Sequence, residues 1–269
     1  MQKKIPLWAA LCGCLVLCAL CCALLLTLRP ALPTGNFTNE MKLPNTHPLH
    51  DEGADVWDRV GDHGSSPYFY NLDFYNLKST DSLSLLPQFK TMQQSAWWSC
   101  GPTSILMVLD YYGVLGDWNE ENLAALRSDH SQQHTGTCLE QMIEILDHVG
   151  GFDLVTTYDY RDNLEELNMA FFRQQIQAGY PVLVGWNDWG GHWEIIIGYD
   201  TMGTEHEGDD VLIFADSFDT SDHNQDGYGV VSAERFIDNF TFYDFLPADH
   251  IRDKCLIVVK PQVSTEAEK

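Results

Sequence analysis

The chain has 269 residues, 45% of them hydrophobic and 12% aromatic, with a formal net charge of -24. That composition supports one packed domain with an appendage. The acidity excludes a nucleic-acid-binding protein, since phosphate binding needs cationic patches, and a basic membrane-surface patch.

Residues 1–4 are short and basic, and residues 5–28 carry no charge. Crossing a bilayer takes about 20 apolar residues, so 5–28 reads as a transmembrane or signal helix. No small-residue cleavage site precedes Arg29-Pro30, which favours an uncleaved single-pass anchor with the body outside, Lys3 and Lys4 staying cytoplasmic. A cleaved signal peptide, and hence a secreted protein, is the alternative. Residues 29–67, rich in Pro, Gly, Asn, Asp and His, read as an extracytoplasmic linker. The domain proper is expected over 68–263, with a polar tail over 264–269.

Apolar alternation at Phe69/Leu72/Phe74 and Leu83/Leu85/Leu86 predicts a strand or two entering the domain. Next comes Gln94-Ser95-Ala96-Trp97-Trp98-Ser99-Cys100-Gly101-Pro102. Ile105, Leu106, Val108, Leu109 and Tyr112 then place an apolar stripe on a helix of about three turns, with Pro102 suited to its first position. Cys100 is thereby set at a helix N-terminus, where orphan N–H groups and the macrodipole favour a thiolate. Gln94, six residues upstream, brings an amide donor to the same place. A thiolate beside a placed donor is half of an acyl-transfer site. A lone cysteine opening a core helix is ordinarily structural; here Gln, Cys-Gly-Pro and a helix start coincide.

Farther on, Asn119 caps a predicted helix. Leu139, Met142, Ile143, Leu146 and Val149 mark another, with Cys138 at its start and no Gln or His/Asp series of its own, hence structural. A third runs over 164–178, closed by Gly179. Residues 180–186 read as a buried strand, and His192 opens the next directly after Gly190-Gly191, a pair that permits tight backbone packing near a substrate. The apolar run 211–216 ends on Asp216, with Asp219 as the runner-up acid. Val230-Val231, a helix over 233–239 and a strand over 255–259 complete the chain. Helices first and strands late indicate an α+β fold.

Cysteine on a helix start, histidine at one strand and acid at the next is the logic of papain-like thiol enzymes. Gln94 with Cys100-Gly101-Pro102, Gly191-His192-Trp193 and Asp216-Ser217 resemble the double-glycine peptidases that process bacteriocin leaders, and more closely that family's stand-alone relatives. The resemblance spans about 86–259. It implies a papain-like cysteine peptidase fold with N-terminal helices and an antiparallel sheet carrying His and Asp. It also implies a peptide or isopeptide substrate and the catalytic set Cys100, His192, Asp216 and Gln94. The bacteriocin-processing peptidases are fused to a transporter, so leader cleavage is not implied. Gln94-Ser95 before Cys100-Gly101 is also similar to phytochelatin-synthase-like transferases, which move a γ-glutamylcysteinyl unit to a thiol. A non-catalytic binding protein on the same fold is the third reading.

No zinc spacing appears, and neither cofactor nor metal is expected. Asp222, Asn224 and Asp226 open like an EF-hand calcium loop, but position twelve is Ala233, so an acidic turn is the better reading. Trp97 and Trp98 beside the nucleophile, with Trp186, Trp189 and Trp193 around His192, are divided between core and substrate groove.

Overall fold

The computed structural model of the chain describes residues 40–54, 72–128, 136–188, 190–219, 225–242 and 250–262. The expected anchor over 5–28 lies outside these residues, and no helix among them is long and apolar enough to cross a membrane.

The elements run β1 (Leu83–Leu85), α1 (Cys100–Tyr111), α2 (Glu120–Ala124), α3 (Leu139–Val149), β2 (Phe152–Thr156), α4 (Met169–Gln177), β3 (Val182–Trp186), β4 (His192–Asp200), β5 (Val211–Ala215), β6 (Tyr228–Ser232), α5 (Ala233–Asp238) and β7 (Cys255–Pro261). Helices precede most of the strands, as the α+β expectation requires. The strands form a single antiparallel sheet in the order β2-β7-β3-β4-β5-β6, with β1 paired to the far end of β4.

β4 is the long central strand. Its first half pairs with β3, Trp186 opposite His192, and its second half with β5. Residues 192–199 are buried throughout, because helices α1 and α4 pack on β4. That explains its near-continuous apolar run where a half-exposed strand would alternate. β2 is the strand that periodicity misses: Phe152, Leu154 and Val155 are only half-buried, and Asp153 is exposed. It is specified by its pairing with β7 rather than by a local pattern.

Helix α1 also departs from a simple stripe. Every residue from Cys100 to Leu109 is buried, so it is a core helix covered all round, with the Thr103 and Ser104 hydroxyls hydrogen-bonded inside. It begins at Cys100 with Ser99 as N-cap, which moves Pro102 from the first to the third helical position, still within the turn whose N–H groups have no intrahelical partner. A Cβ on Gly101 would stand 2.7 Å from Met142 Sδ and 3.0 Å from Thr137 Cβ. Glycine there is what lets α3 close against the start of α1. The predicted helix over 164–178 is shorter than expected. Leu164–Glu166 is a 3₁₀ turn, and α4 starts only at Met169, where the Asn168 side chain accepts from Phe171 N.

Residues 40–54, expected to be part of a tether, instead pack along the loop that leads to Cys100. Leu43 N donates to Thr91 O, Asp51 N to Ser95 O, Ala54 N to Gln94 O, and Trp97 N to Asp51 O. Met41, Leu43 and Ala54 are buried. A Cβ on Gly53 would lie 2.3 Å from the Ser95 carbonyl carbon, so only glycine allows so close an approach of two backbones. The composition of the segment looked loop-like because its order comes from this pairing and not from regular structure.

Candidate active site

Three segments converge on the site: the loop 93–99 entering α1, the start of β4, and the turn that follows β5. The Gly190-Gly191 turn aims β4. Both glycines have positive φ, 90° and 150°, and a Cβ on Gly190 would meet nothing within 4 Å. The pair therefore serves the turn conformation.

His192 Nε2 stands 2.7 Å from Asp216 Oδ1, and both side chains are buried. With Nε2 engaged by Asp216, Nδ1 is the nitrogen left for the Cys100 sulfur, which lies near enough to favour the charged ring. Burial opposes a charged imidazole here. The Asp216 carboxylate, its hydrogen bond and the Cys100 sulfur outweigh that penalty and hold the His192 pKa well above the usual imidazole range. Asp216 is itself fixed by its own turn: Phe218 N donates to Oδ1 at 2.7 Å and Asp219 N to Oδ2 at 2.9 Å. Burial pushes its carboxyl up, but His192 and those two N–H groups prevail and lower it. The Phe218 ring stands edge-on to His192, centroids 6.5 Å apart. Asp219 points elsewhere, its Oδ2 accepting from Gly227 N at 2.7 Å.

Gln94 is 1% exposed. Its Oε1 accepts from Ser217 Oγ at 2.7 Å, and its Nε2 donates to Ala96 O at 2.8 Å, with Trp97 O farther off at 3.4 Å. Exchanging the amide atoms would set two oxygens against each other at Ala96, so this orientation follows from the partners. The Nε2 group thus braces the loop before Cys100. Gln94 N also donates to Ser217 O, at 2.9 Å, which ties the nucleophile loop to the residue beside Asp216. The four expected residues are therefore brought into one neighbourhood, Gln94 through Ser217 and the others by direct contact.

Two buried carboxyls are part of this neighbourhood and were missed. Glu120, wholly buried, reads in the sequence only as the start of a helix. Its Oε1 accepts from Ser95 N (2.9 Å), Ser99 Oγ (2.6 Å) and Thr103 Oγ1 (2.8 Å), and its Oε2 from Asn45 Nδ2 (2.7 Å) and Ser95 Oγ. It pins the 40–54 segment, the loop and the first turn of α1 to one point. Removing it orphans the buried N–H and hydroxyl of Ser95, at about 1–3 kcal/mol each, and leaves the Ser99 and Thr103 hydroxyls only the Ala96 and Ser99 carbonyls. Glu120→Ala should therefore lower the urea midpoint by the equivalent of at least about 3 kcal/mol, and an unchanged midpoint would show that this network is dispensable. The second carboxyl is Glu194, two residues beyond His192, whose Oε2 accepts from Trp186 Nε1 at 2.7 Å. Alternation along β4 puts it on the histidine's face, but within an apolar run it gave no separate signal.

The tryptophans divide unevenly. Trp98, Trp186 and Trp193 are core residues, whereas Trp97 is 54% exposed beside the nucleophile loop. Trp189 lies outside the described residues. So do Asp222 and Asn224 of the calcium-like loop, while Asp226 is buried and caps its own turn, accepting from Tyr228 N. One mixed set does bring donors close: Cys138 Sγ, Glu140 and His250 lie within 4.8 Å of one another. There Glu140 accepts from Tyr158 Oη and shares a 3.2 Å hydrogen bond with His250 Nδ1. Burial, reinforced by Glu140, pushes the Cys138 thiol up to about 12, and burial likewise raises Cys255.

A family model described as the Peptidase_C39 like family matches residues 86–243, more than half of the chain and all three converging segments. No curated protein matches the chain.

Proposed function

The chain belongs to the Peptidase_C39 like family of cysteine peptidases, and from that premise we propose that it is a thiol hydrolase of peptide or isopeptide bonds. In this reading residues 5–28 anchor it, or direct its secretion, and the catalytic body is extracytoplasmic. The observation that carries the proposal is the placement of His192 between the Asp216 carboxylate and the Cys100 thiol.

The chemistry follows from that placement. Cys100 gives its proton to His192, and the sulfur attacks a carbonyl carbon. Backbone N–H groups at the start of α1 stabilise negative charge there. The imidazolium then protonates the leaving amine and the C–N bond breaks. Water enters, its proton passes to His192, a C–O bond forms and the C–S bond breaks to restore the thiol. Asp216 holds the ring in one tautomer and stabilises its charged form. Trp97 supplies an exposed aromatic wall beside the nucleophile for a substrate side chain.

The test is to incubate the protein with a peptide ester library and read the mass added to Cys100. An adduct absent from Cys100→Ala and lost again in water establishes hydrolysis. A rate of loss that rises with added amine or thiol acceptors assigns transfer instead, and no adduct with any ester overturns both.

Gln94→Ala probes the oxyanion side. If Nε2 turns a hydrogen from the distant Trp97 carbonyl to the developing charge, kcat falls in the variant by roughly a hundredfold with KM nearly constant, and alkylation of Cys100 persists. A rise in KM at constant kcat would make Gln94 a substrate-binding residue.

A further inference from the structure

We propose that Glu194 is a positioning residue of this site: an uncharged carboxylic acid set beside the His192–Asp216 pair, whose ionisation holds His192 as imidazolium and stalls release of the acyl group. The inference deepens the thiol-hydrolase reading and rests on it.

Residues i and i+2 of a strand share a face, so β4 presents His192 and Glu194 to the same side. One polar atom each from His192, Glu194 and Asp216 lie within 4.8 Å of one another. All three side chains are buried, Glu194 at 4% exposure. Two carboxyls so close, out of water, do not both ionise readily, and their surroundings decide which one does. Asp216 accepts from two backbone N–H groups and the imidazole. Glu194 accepts from the indole N–H of Trp186, a neutral donor. The charge therefore resides on Asp216.

The titratable groups facing Glu194 are His192 on its own strand, Asp216 after β5 and Asp188 from the β3–β4 turn. Cys100, from α1, acts through His192. Burial and then the Asp216 charge hold the Glu194 carboxyl well above the usual carboxylate range. His192 opposes this, Asp188 adds to it, and the Trp186 hydrogen bond reduces it.

Acyl release is the step that feels this group. Water must give its proton to an uncharged His192 as its oxygen bonds the acyl carbon and the C–S bond breaks. A second negative charge on Glu194 would favour the imidazolium and leave less free base at a given pH. Alkylation of Cys100 does not call on His192 to take a proton from water and is not impeded in this way. Glu194 also has a sign in stability. Its raised folded value means that the native state keeps a proton the unfolded chain releases. Stability therefore declines as pH rises from the ordinary glutamate range to the folded value.

Glu194→Gln fixes the neutral state. Wild-type Glu194, uncharged at lower pH, ionises within the span over which His192 gives up its proton. With a peptide p-nitrophenyl ester, the pH midpoint of acyl-enzyme hydrolysis should therefore move down by about one unit in the variant, and the pH-dependent decline in Tm over that window should flatten. Carboxyl NMR of 13C-glutamate-labelled protein should show one resonance, absent in Glu194→Gln, titrating well above about 4.3. If the glutamine variant does not fold, Trp186→Phe removes the indole donor and should raise that resonance's midpoint further. A Glu194 resonance titrating in the ordinary range, or an unmoved hydrolysis midpoint in a folded Glu194→Gln, overturns the proposal. Turnover by Cys100→Ala would sink the thiol reading instead, and the carboxyl titration would still report on Glu194 by itself.

Discussion

Cys100→Ala is expected to abolish turnover, by roughly a thousandfold or more, while leaving the fold intact. The thiol makes and breaks the covalent bond, and no neighbouring group can replace it. The helix it opens does not depend on it, because α1 is held by ten buried residues from Cys100 to Leu109 and by the Glu120 network at Ser99 and Thr103. Far-UV circular dichroism and Tm should stay close to the wild type. The comparison with the other described cysteines makes the test sharp. Cys138 and Cys255 are buried with raised pKa values, so of these three cysteines iodoacetamide near neutral pH should label Cys100 alone, and Cys138→Ala should keep most activity. Equal losses from Cys100→Ala and Cys138→Ala would mean that the nucleophile has been misassigned. An unlabelled Cys100 with an intact fold would favour the non-catalytic reading.

The residues that announce themselves in the sequence do so because local chemistry restricts their neighbours. Cys100-Gly101-Pro102 is legible because a helix start has strict rules, with proline suited to a first turn where no N–H is required; the glycine has its reason only once α3 presses in. His192 and Asp216 are legible as polar residues bounding apolar strands, one on entry and one on exit. What stayed hidden is long-range. Glu120 and Glu194 are ordinary glutamates by position, and only the fold brings Ser95 and Ser99 to the first or Asp216 to the second. The same holds for β2, defined by β7, and for residues 40–54, defined by the loop they line. Gly53 has a reason only once the Ser95 backbone lies against it. The double glycine before His192 has a reason in the backbone itself, since both residues adopt positive φ.

That 40–54 segment changes how the nucleophile loop is understood. The loop 93–99 carries Gln94 and delivers Cys100, yet it is irregular and would be loose by itself. Leu49, Asp51 and Ala54 on one side, and Glu120 and Ser217 on the other, give its backbone and side chains fixed partners. A pocket lined by Lys42, Asn45, Gln93 and Ser95 lies against the segment, and neither Cys100 nor His192 belongs to its lining. The segment's evident task is to hold the loop in register with the His192–Asp216 pair.

Asp216→Asn should produce the second large effect, a loss of roughly a hundredfold to ten-thousandfold in kcat/KM, and here the structure adds a stability term. An asparagine that keeps its carbonyl toward His192 Nε2 must turn its amide group toward Asp219 N, a donor facing a donor. The opposite orientation sets the amide against both His192 and Phe218 N. Either way a buried N–H loses its acceptor, at about 1–3 kcal/mol, so Tm should fall measurably while the protein still folds. Asp219→Asn should spare more activity, because its carboxylate holds Gly227 N and not the imidazole. The pH dependence carries the sign. His192 is raised in the folded state, so its contribution to stability is complete below the ordinary imidazole range and is lost as pH rises through the folded value. Asp216 is lowered, so its contribution is present above the ordinary carboxylate range and is lost as pH falls through the folded value. The pair therefore stabilises the fold across the span between those limits, and Asp216→Asn should remove that plateau from a plot of Tm against pH. The imidazolium, without its carboxylate, should also surrender its proton at lower pH, drawing the alkaline limb of kcat/KM downward. A folded Asp216→Asn with an unshifted alkaline limb would show that His192 does not depend on this carboxylate, and the role of the acid would have to be sought elsewhere.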